Sequence, residues 1–338
     1  MNTEKHLKKN DEDKIWEERS FYAYETFCTV GILRRADEAK ILRQCQRLAL
    51  TVQHVLNVYD PQSELAVLCR TYKAGEKYKV SPMLFSFLEI NLWMAHRCMG
   101  AFDPTLGPVI RLWENCQRED RLPGAGELDT ALARSGYEHI HLFKNTMEVL
   151  IDCPGIELHP GASGKGFALD IIASYLKSES VEGAYMNFGG NVYVLGENAL
   201  RTAVRHPKHP SQMMAVLNIK NEALSTSSWY EHYFEKEGKV YPHIIDPGTG
   251  QPAASQLLSV SCVTSLAAAG DILSTALYVL GREKRDEVLK QLRADARYCP
   301  FMDFSPKIKY IAMDTHGHIH SNFSKSPGSC STFPSSTI

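Results

Sequence analysis

The sequence has no C-x-x-C pair, no internal repeat and no uncharged apolar run long enough to span a bilayer. Its nine cysteines (Cys28, Cys45, Cys69, Cys98, Cys116, Cys153, Cys262, Cys299, Cys330) are odd in number and scattered, several of them inside apolar periodic stretches. That distribution fits reduced, structural thiols and argues against a disulfide framework or a thiolate zinc site. The most apolar segment, MLFSFLEINLWMAH, is interrupted by Glu89 and Asn91 and is too short and polar to cross a membrane. A formal charge of −2 leaves no basic field, so neither nucleic acid nor an anionic membrane is expected as a partner. The opening residues, MNTEKHLKKNDEDKIWEERS, are charged throughout and lack an apolar h-region, which sets the expectation of no leader peptide and a cytoplasmic location. Two nucleotide signatures are also missing. No G-x-G-x-x-G follows a strand, and His159-Pro-Gly-Ala-Ser-Gly-Lys-Gly166 fails the P-loop pattern where His159 stands for Gly and Gly166 for Ser or Thr.

With 338 residues, 44% of them hydrophobic and 22% charged, the chain has the make-up of an ordinary globular protein with one large domain or two modest ones. Apolar side chains at Ile41, Leu42, Cys45, Leu48, Ala49, Val52, Val55 and Leu56 predict a core-facing helix between Ala36 and Asn57. Ser81-Pro82 reads as a cap followed by proline at the first helical position, opening a helix that stops near Gly100. From Gly136 onward come short β-rich runs (YEHIHLF, MEVLID, GAYMNF, NVYVLG, RTAVRH, MAVLNI, KVYPHII, LLSVSCVTS, KIKYIAMD), with helical patterns at Lys165 to Lys177, Asp271 to Leu280 and Glu283 to Leu292. This mixture predicts an α+β fold with mainly antiparallel sheets flanked by helices, not a doubly wound dinucleotide fold. Residues 1–20 and 322–338 are expected to be flexible from their composition, leaving 21–321 as the folded unit.

The most informative stretch is Gly270 to Gly281, GDILSTALYVLG. Positions i and i+4 share a helix face about 5–6 Å apart, so the carboxylate of Asp271 and the hydroxyl of Thr275 can converge on one point. Two hard oxygens suit Mg²⁺, which bridges carboxylates to substrate phosphates. The same pair also reads as a first-turn acid complementing the helix dipole and a Thr bonded to its i−4 carbonyl. Small residues around Lys165 form a turn into a helix that can receive an anion, or simply pack tightly. Met186-Asn-Phe-Gly-Gly-Asn-Val192 reads first as a β-turn. In Tyr241-Pro-His-Ile-Ile-Asp-Pro-Gly-Thr-Gly250, His243 is suited to accept a proton near neutral pH, with Asp246 placed to orient it or to bind metal water. Asp103, in Phe102-Asp-Pro-Thr-Leu-Gly-Pro108, is an acceptor for a ligand hydroxyl or imide, or an Asp-Pro turn. Tyr59 offers an aromatic face for a base, or closes a helix end.

The order of these segments (FDPTLGP, the turn with GKG, NFGGN, HIIDPGTG, GDILSTALYVLG) resembles the ApbE family of FAD:protein FMN transferases over about residues 24 to 321. YDPQSEL matches the tyrosine-containing segment of that family, and Phe27-Cys28-Thr29 loosely matches its Met-Gly-Thr. The resemblance implies an ApbE-like, T-fold-related two-part architecture that binds FAD with Mg²⁺ on its diphosphate. It implies transfer of FMN to a Ser or Thr hydroxyl in the flavinylation motif of a partner flavoprotein, with release of AMP. By the same resemblance Ala162 (through its carbonyl), Asp271, Ser274 and Thr275 form the metal set. Tyr59, Ala101, Phe102, Asp103, His159, Lys165, Asn187 and Ile245 line the FAD site, and His243 with Asp246 does the acid–base work. Where the family commonly has Asp-Leu-Gly-Gly, this chain has His159-Pro160-Gly161-Ala162, an imidazole in place of a carboxylate. Two alternatives accompany this reading: a Mg²⁺-dependent FAD pyrophosphatase giving FMN and AMP, and a flavin-binding protein without turnover.

Overall fold

Eight strands pair into one fully antiparallel sheet, in the order Trp16–Ala23, Thr26–Leu33, Gly183–Phe188, Asn191–Gly196, Glu222–Ser228, Leu257–Thr264, Lys309–Asp314, Ile319–Ser321. The structure, a computed structural model, describes residues 15–209, 211–229, 233–282, 284–301, 304–305, 307–323 and 330–332. Of the segments expected to be flexible, 1–14, 324–329 and 333–338 lie outside the described residues. The first strand begins at Trp16, and Cys330–Thr332 pairs with Met213–Ile219. Among the described residues there are eight α-helices: α1 (Glu38–Leu56), α2 (Glu64–Thr71), α3 (Pro82–Arg97), α4 (Gly107–Arg118), α5 (Ala125–Leu132), α6 (Gly164–Ser178), α7 (Ala267–Leu280) and α8 (Arg285–Asp295). The architecture is α+β with antiparallel sheets, as the sequence predicts.

The large sheet is covered on both faces, and this explains its burial pattern. Helices α1, α3, α6 and α7 bury one face around Val30, Ile32, Met186, Val260, Ile172, Ile272 and Leu277. A small sheet of Leu200–Arg205, Met213–Ile219 and Cys330–Thr332 covers the other, with Val204, Met214 and Leu217 against Leu224, Val263 and Ile311. The strand Leu257–Thr264 lies between the two layers and is buried at every position. A third cluster joins Leu106, Val109 and Trp113 of the α4 region to Ala131 and Ile245. The eight described cysteines are all unpaired, in line with reduced thiols. Among the described residues no helix is long and apolar enough to cross a membrane.

The five helices that the sequence predicts (α1, α3, α6, α7 and α8) have boundaries within four residues of expectation, whereas α2, α4 and α5 are not among the predicted helices. Ser81 Oγ accepts the Leu84 N–H at 3.2 Å with Pro82 just inside α3, the expected cap. Helix α7 departs from expectation because it begins at Ala267, a full turn before Asp271. Its own flanking residue, Leu266, supplies no side-chain cap. The cap comes from α6: Asp170 accepts the Ala267 and Ala268 N–H groups at 2.7 and 2.8 Å. Asp271 is therefore not a first-turn cap of its own helix. Its carboxylate reaches across to α6, where Oδ2 accepts the Gly166 N–H at 3.1 Å. Ser163, which flanks α6, makes no side-chain cap either, so each helix start is satisfied by an aspartate of the other.

Gly166 makes this crossing possible. A Cβ there would sit 2.5 Å from the Ala267 carbonyl oxygen, a distance that backbone cannot yield, so a larger residue would push the two helix starts apart. Both oxygens of Asp170 accept N–H groups, so Asp170→Asn turns an amide NH₂ toward one of two donors. Unfolding free energy should fall by about 1–3 kcal/mol, read by urea denaturation at unchanged m-value; an unaltered midpoint would remove Asp170 from the junction.

Candidate active site

Two stretches of loop carry the site. His159 N–H donates to the Pro104 carbonyl at 2.8 Å and Gly107 N–H to the Glu157 carbonyl at 3.0 Å, so the Asp103–Gly107 loop runs beside the segment that enters α6. After His159 the chain turns tightly, with the Ser163 and Gly164 N–H groups both reaching the Pro160 carbonyl at 3.0 and 2.7 Å. Half-buried Ala162 lies in that turn, and Lys165 in the first turn of α6. This delivers Gly166 to the start of α7 and the charge of Lys165 to Asp271.

Asp271 is 6% exposed. Burial pushes its carboxyl pKa up, while the charge of Lys165, the Asn191 amide and the Gly166 N–H favour the ionised form. Thr275, one turn on, is half-buried, and its Oγ1 lies 3.0 Å from the Ser227 hydroxyl. Ser274 is fully buried and donates to the Asp271 carbonyl at 2.9 Å. Asp170 sits on the same junction: burial raises its pKa to about 7, its two N–H partners oppose that shift, and the nearby Asp271 charge reinforces it. The expected metal set of Ala162, Asp271, Ser274 and Thr275 consists of hard oxygens. Among the described residues no group of three or more His, Cys, Asp or Glu is arranged to hold a metal. By type, the donors of the expected set suit a magnesium-type cation, which takes one or two protein carboxylates and completes its shell with waters and substrate phosphates. They do not match the thiolate and imidazole sets of structural zinc.

A cleft of about 490 Å³ opens beside α4, lined by Tyr59, Arg111, Glu114, Arg118, Glu157 and His159 among others. Tyr59 is 65% exposed, which leaves its ring available for stacking, and its hydroxyl donates to Glu114 Oε1 at 2.5 Å. The rings of Tyr59 and His159 meet edge to face at 6.4 Å. His159 Nδ1 accepts the Gly161 N–H at 3.2 Å, and burial lowers the ring pKa to about 4. A neutral ring with Nδ1 occupied as acceptor carries its proton on Nε2. Nε2 is buried with no partner among the described residues.

The remaining expected residues have local structural work. Asp103 Oδ1 accepts the Thr105 N–H and hydroxyl at 2.7 and 2.6 Å, and Oδ2 the Tyr137 N–H at 3.2 Å, so the carboxylate ties its own loop to the next segment. Ala101 and Phe102 are buried in the main core. Asn187 is exposed and accepts the Gly190 N–H at 2.9 Å, closing a hairpin whose two glycines have φ of 61° and 99°. Asn191, four residues later, is the asparagine beside Asp271. Ile245 packs with α4 and α5, and exposed His243 precedes it. Asp246 Oδ1 accepts the Gly248 N–H at 2.9 Å and its carbonyl accepts Gly250 N–H, shaping the turn that Trp113 anchors through the Gly250 carbonyl at 2.8 Å. Asn191, Ser227 and Asp170 escaped the sequence reading. For Ser227 a signal existed in the hydroxyl run Ser225-Thr-Ser-Ser228.

Comparison with known proteins finds relatives over most of the chain. The model of the ApbE family matches residues 24–298. The chain is 30% identical over 287 residues to the FAD:protein FMN transferase of Treponema pallidum, covering 79% of each protein. It is 35% identical over 193 residues to that of Klebsiella pneumoniae, covering 57% of this chain and 60% of the relative. The fold superposes on the flavin transferase ApbE from Vibrio cholerae with a TM-score of 0.78 at 24% identity, over 93% of this chain and 98% of that one. The ApbE protein of Thermotoga maritima gives a TM-score of 0.77 at 24% identity, over 90% and 96%.

The lowered pKa of His159 has a definite sign. Below about pH 6.5 the unfolded chain takes up a proton that the folded ring refuses, so this residue subtracts stability as pH falls toward about 4. Ring ¹⁵N shifts should remain those of the neutral Nε2–H form from about pH 5 to 8; a titration near 6.5 would contradict the assignment.

Proposed function

The chain belongs to the ApbE family, and from that membership we propose that it is an FAD:protein FMN transferase dependent on Mg²⁺. The acceptor is a Ser or Thr hydroxyl in the flavinylation motif of a partner flavoprotein. That hydroxyl oxygen bonds to the phosphorus of the FMN half of FAD, the bond from this phosphorus to the bridging oxygen breaks, and AMP leaves with that oxygen. The observation that carries the reading is a buried carboxylate, Asp271, held beside a lysine, a threonine hydroxyl and a small-residue turn at the junction of two helix starts.

A divalent cation held by Asp271, Thr275 and the Ala162 carbonyl would neutralise charge on the diphosphate and polarise its phosphorus. Lys165 has two tasks: its charge favours the ionised Asp271 in a buried setting, and it adds positive potential for an anionic substrate. The Gly166 N–H holds the carboxylate in place, with the Asn191 side chain nearby favouring its ionised form. Tyr59 supplies an exposed aromatic face beside the cleft, with His159 presenting a neutral ring at its edge. His243, exposed ahead of the buried Ile244 and Ile245, takes the proton of the attacking hydroxyl. Asp246 contributes by fixing the turn that follows, through Gly248 and Gly250.

Co-expression with a flavoprotein carrying an Asp-Gly-x-(Ser/Thr)-Gly-Ala-Thr-type acceptor, followed by intact-mass analysis, should detect a covalent FMN adduct. Asp271→Ala should lower adduct formation at least about 100-fold, since it removes the charged ligand. Steady release of FMN and AMP from FAD without any acceptor, and no adduct with one, would replace transfer by hydrolysis.

A further inference from the structure

Three hydroxyls and one carbonyl form a short chain of hydrogen bonds at the second turn of α7. Ser274 Oγ lies 2.9 Å from the Asp271 carbonyl oxygen, which has no proton to give, so Ser274 is the donor. Its single proton is then spent. The 2.8 Å contact between Ser274 and Ser227 must be filled by the Ser227 proton. Ser227, now without a proton to offer, can only accept across its 3.0 Å contact with Thr275. Thr275 also lies 3.3 Å from the Asp271 carbonyl, a longer contact that asks for the same proton. On both contacts Thr275 is a donor, and neither uses a lone pair of its oxygen.

We propose that Ser227 is a positioning residue that accepts the Thr275 proton and thereby reserves both Thr275 lone pairs for a divalent cation. The proposal rests on the reading of Asp271 and Thr275 as cation ligands and adds a direction to it. Ser274 is then part of the relay and not of the ligand set: it is fully buried, its proton is committed, and one of its lone pairs receives Ser227. The relay begins at the Asp271 main chain and ends on Thr275, so the helix turn that carries the carboxylate also sets the hydroxyl. Ser227 is held in register by the strand Glu222–Ser228, where it pairs with Val260 of Leu257–Thr264.

Ser227→Thr and Ser227→Val test this at matched shape, since both are β-branched and suit a strand while only Thr keeps a hydroxyl. The full-length proteins are titrated with Mn²⁺ in the presence of FAD, and the free-ion signal is followed by electron paramagnetic resonance. The Thr variant should bind Mn²⁺ within about 2-fold of wild type and the Val variant about 10-fold more weakly or worse, with ion-free melting temperatures of the two alike. Ser274→Ala should weaken binding comparably, because it frees the Ser227 proton to turn toward Thr275. Equal binding by the Val and Thr variants overturns the relay and leaves the cation reading standing. Failure of wild type to bind Mn²⁺ overturns both. Should the Val variant not fold, wild-type binding by Ser274→Ala overturns the relay by itself.

Discussion

Two helix starts cap each other, and the site is built on that exchange. Asp170 of α6 closes the start of α7, and Asp271 of α7 accepts the Gly166 N–H at the start of α6. Neither helix has a side-chain cap from its own flanking residue, so the unpaired N–H groups of both depend on the crossing. The crossing brings Asp271 close enough to Asp170 that its charge adds to the burial that raises the Asp170 pKa. Backbone N–H groups and the positive ends of two helices partly offset that effect, and Lys165 adds a full charge. A cation would complete the compensation. A site that concentrates negative charge in a buried place, and leaves one hydroxyl oxygen of Thr275 unused as an acceptor, is suited to binding a divalent ion together with a phosphate-bearing substrate.

The fold was legible where periodicity is local. The apolar face of α1, the Ser81-Pro82 start of α3 and the β-rich runs after Gly136 all reflect contacts along one element or between neighbours. Helix α7 was recognisable by its apolar run, but its start was not. Its cap lies 97 residues away in sequence, and nothing at Leu266 announces it. Helix α4 was hidden for another reason: the Asp-Pro pair before it and the Gly-Pro pair that opens it resemble turn residues, yet Pro108 occupies the first turn, where a missing N–H costs nothing. The hairpin of Trp16–Ala23 and Thr26–Leu33 turns at Tyr24 and Glu25, both with positive φ and neither a typical turn residue, so no turn signal marked it.

In the site, the same division holds. Asp271 and Thr275 stand out because a helix places i and i+4 on one face. Asn191 could not be separated from Asn187 without the register: Asn191 pairs with Phe188 and shares its buried face, whereas Asn187 points the other way and closes the turn. The carboxylates of Asp103 and Asp246 organise loops through backbone N–H groups. Acids in Asp-Pro sequences serve turns and ligands by the same chemistry, and only the contacts distinguish the two.

On the proposed reading, the helix junction presents Asp271 and Thr275 to a cation on the FAD diphosphate. A crystal structure with FAD and Mg²⁺ bound tests it most directly. An ion is expected about 2.0–2.1 Å from oxygens of both Asp271 and Thr275, with Ser274 still bonded to Ser227 and the Asp271 carbonyl. An ion seated elsewhere, such as among Glu114 and Glu157 of the cleft, with Asp271 bonded to Gly166 alone, would contradict it.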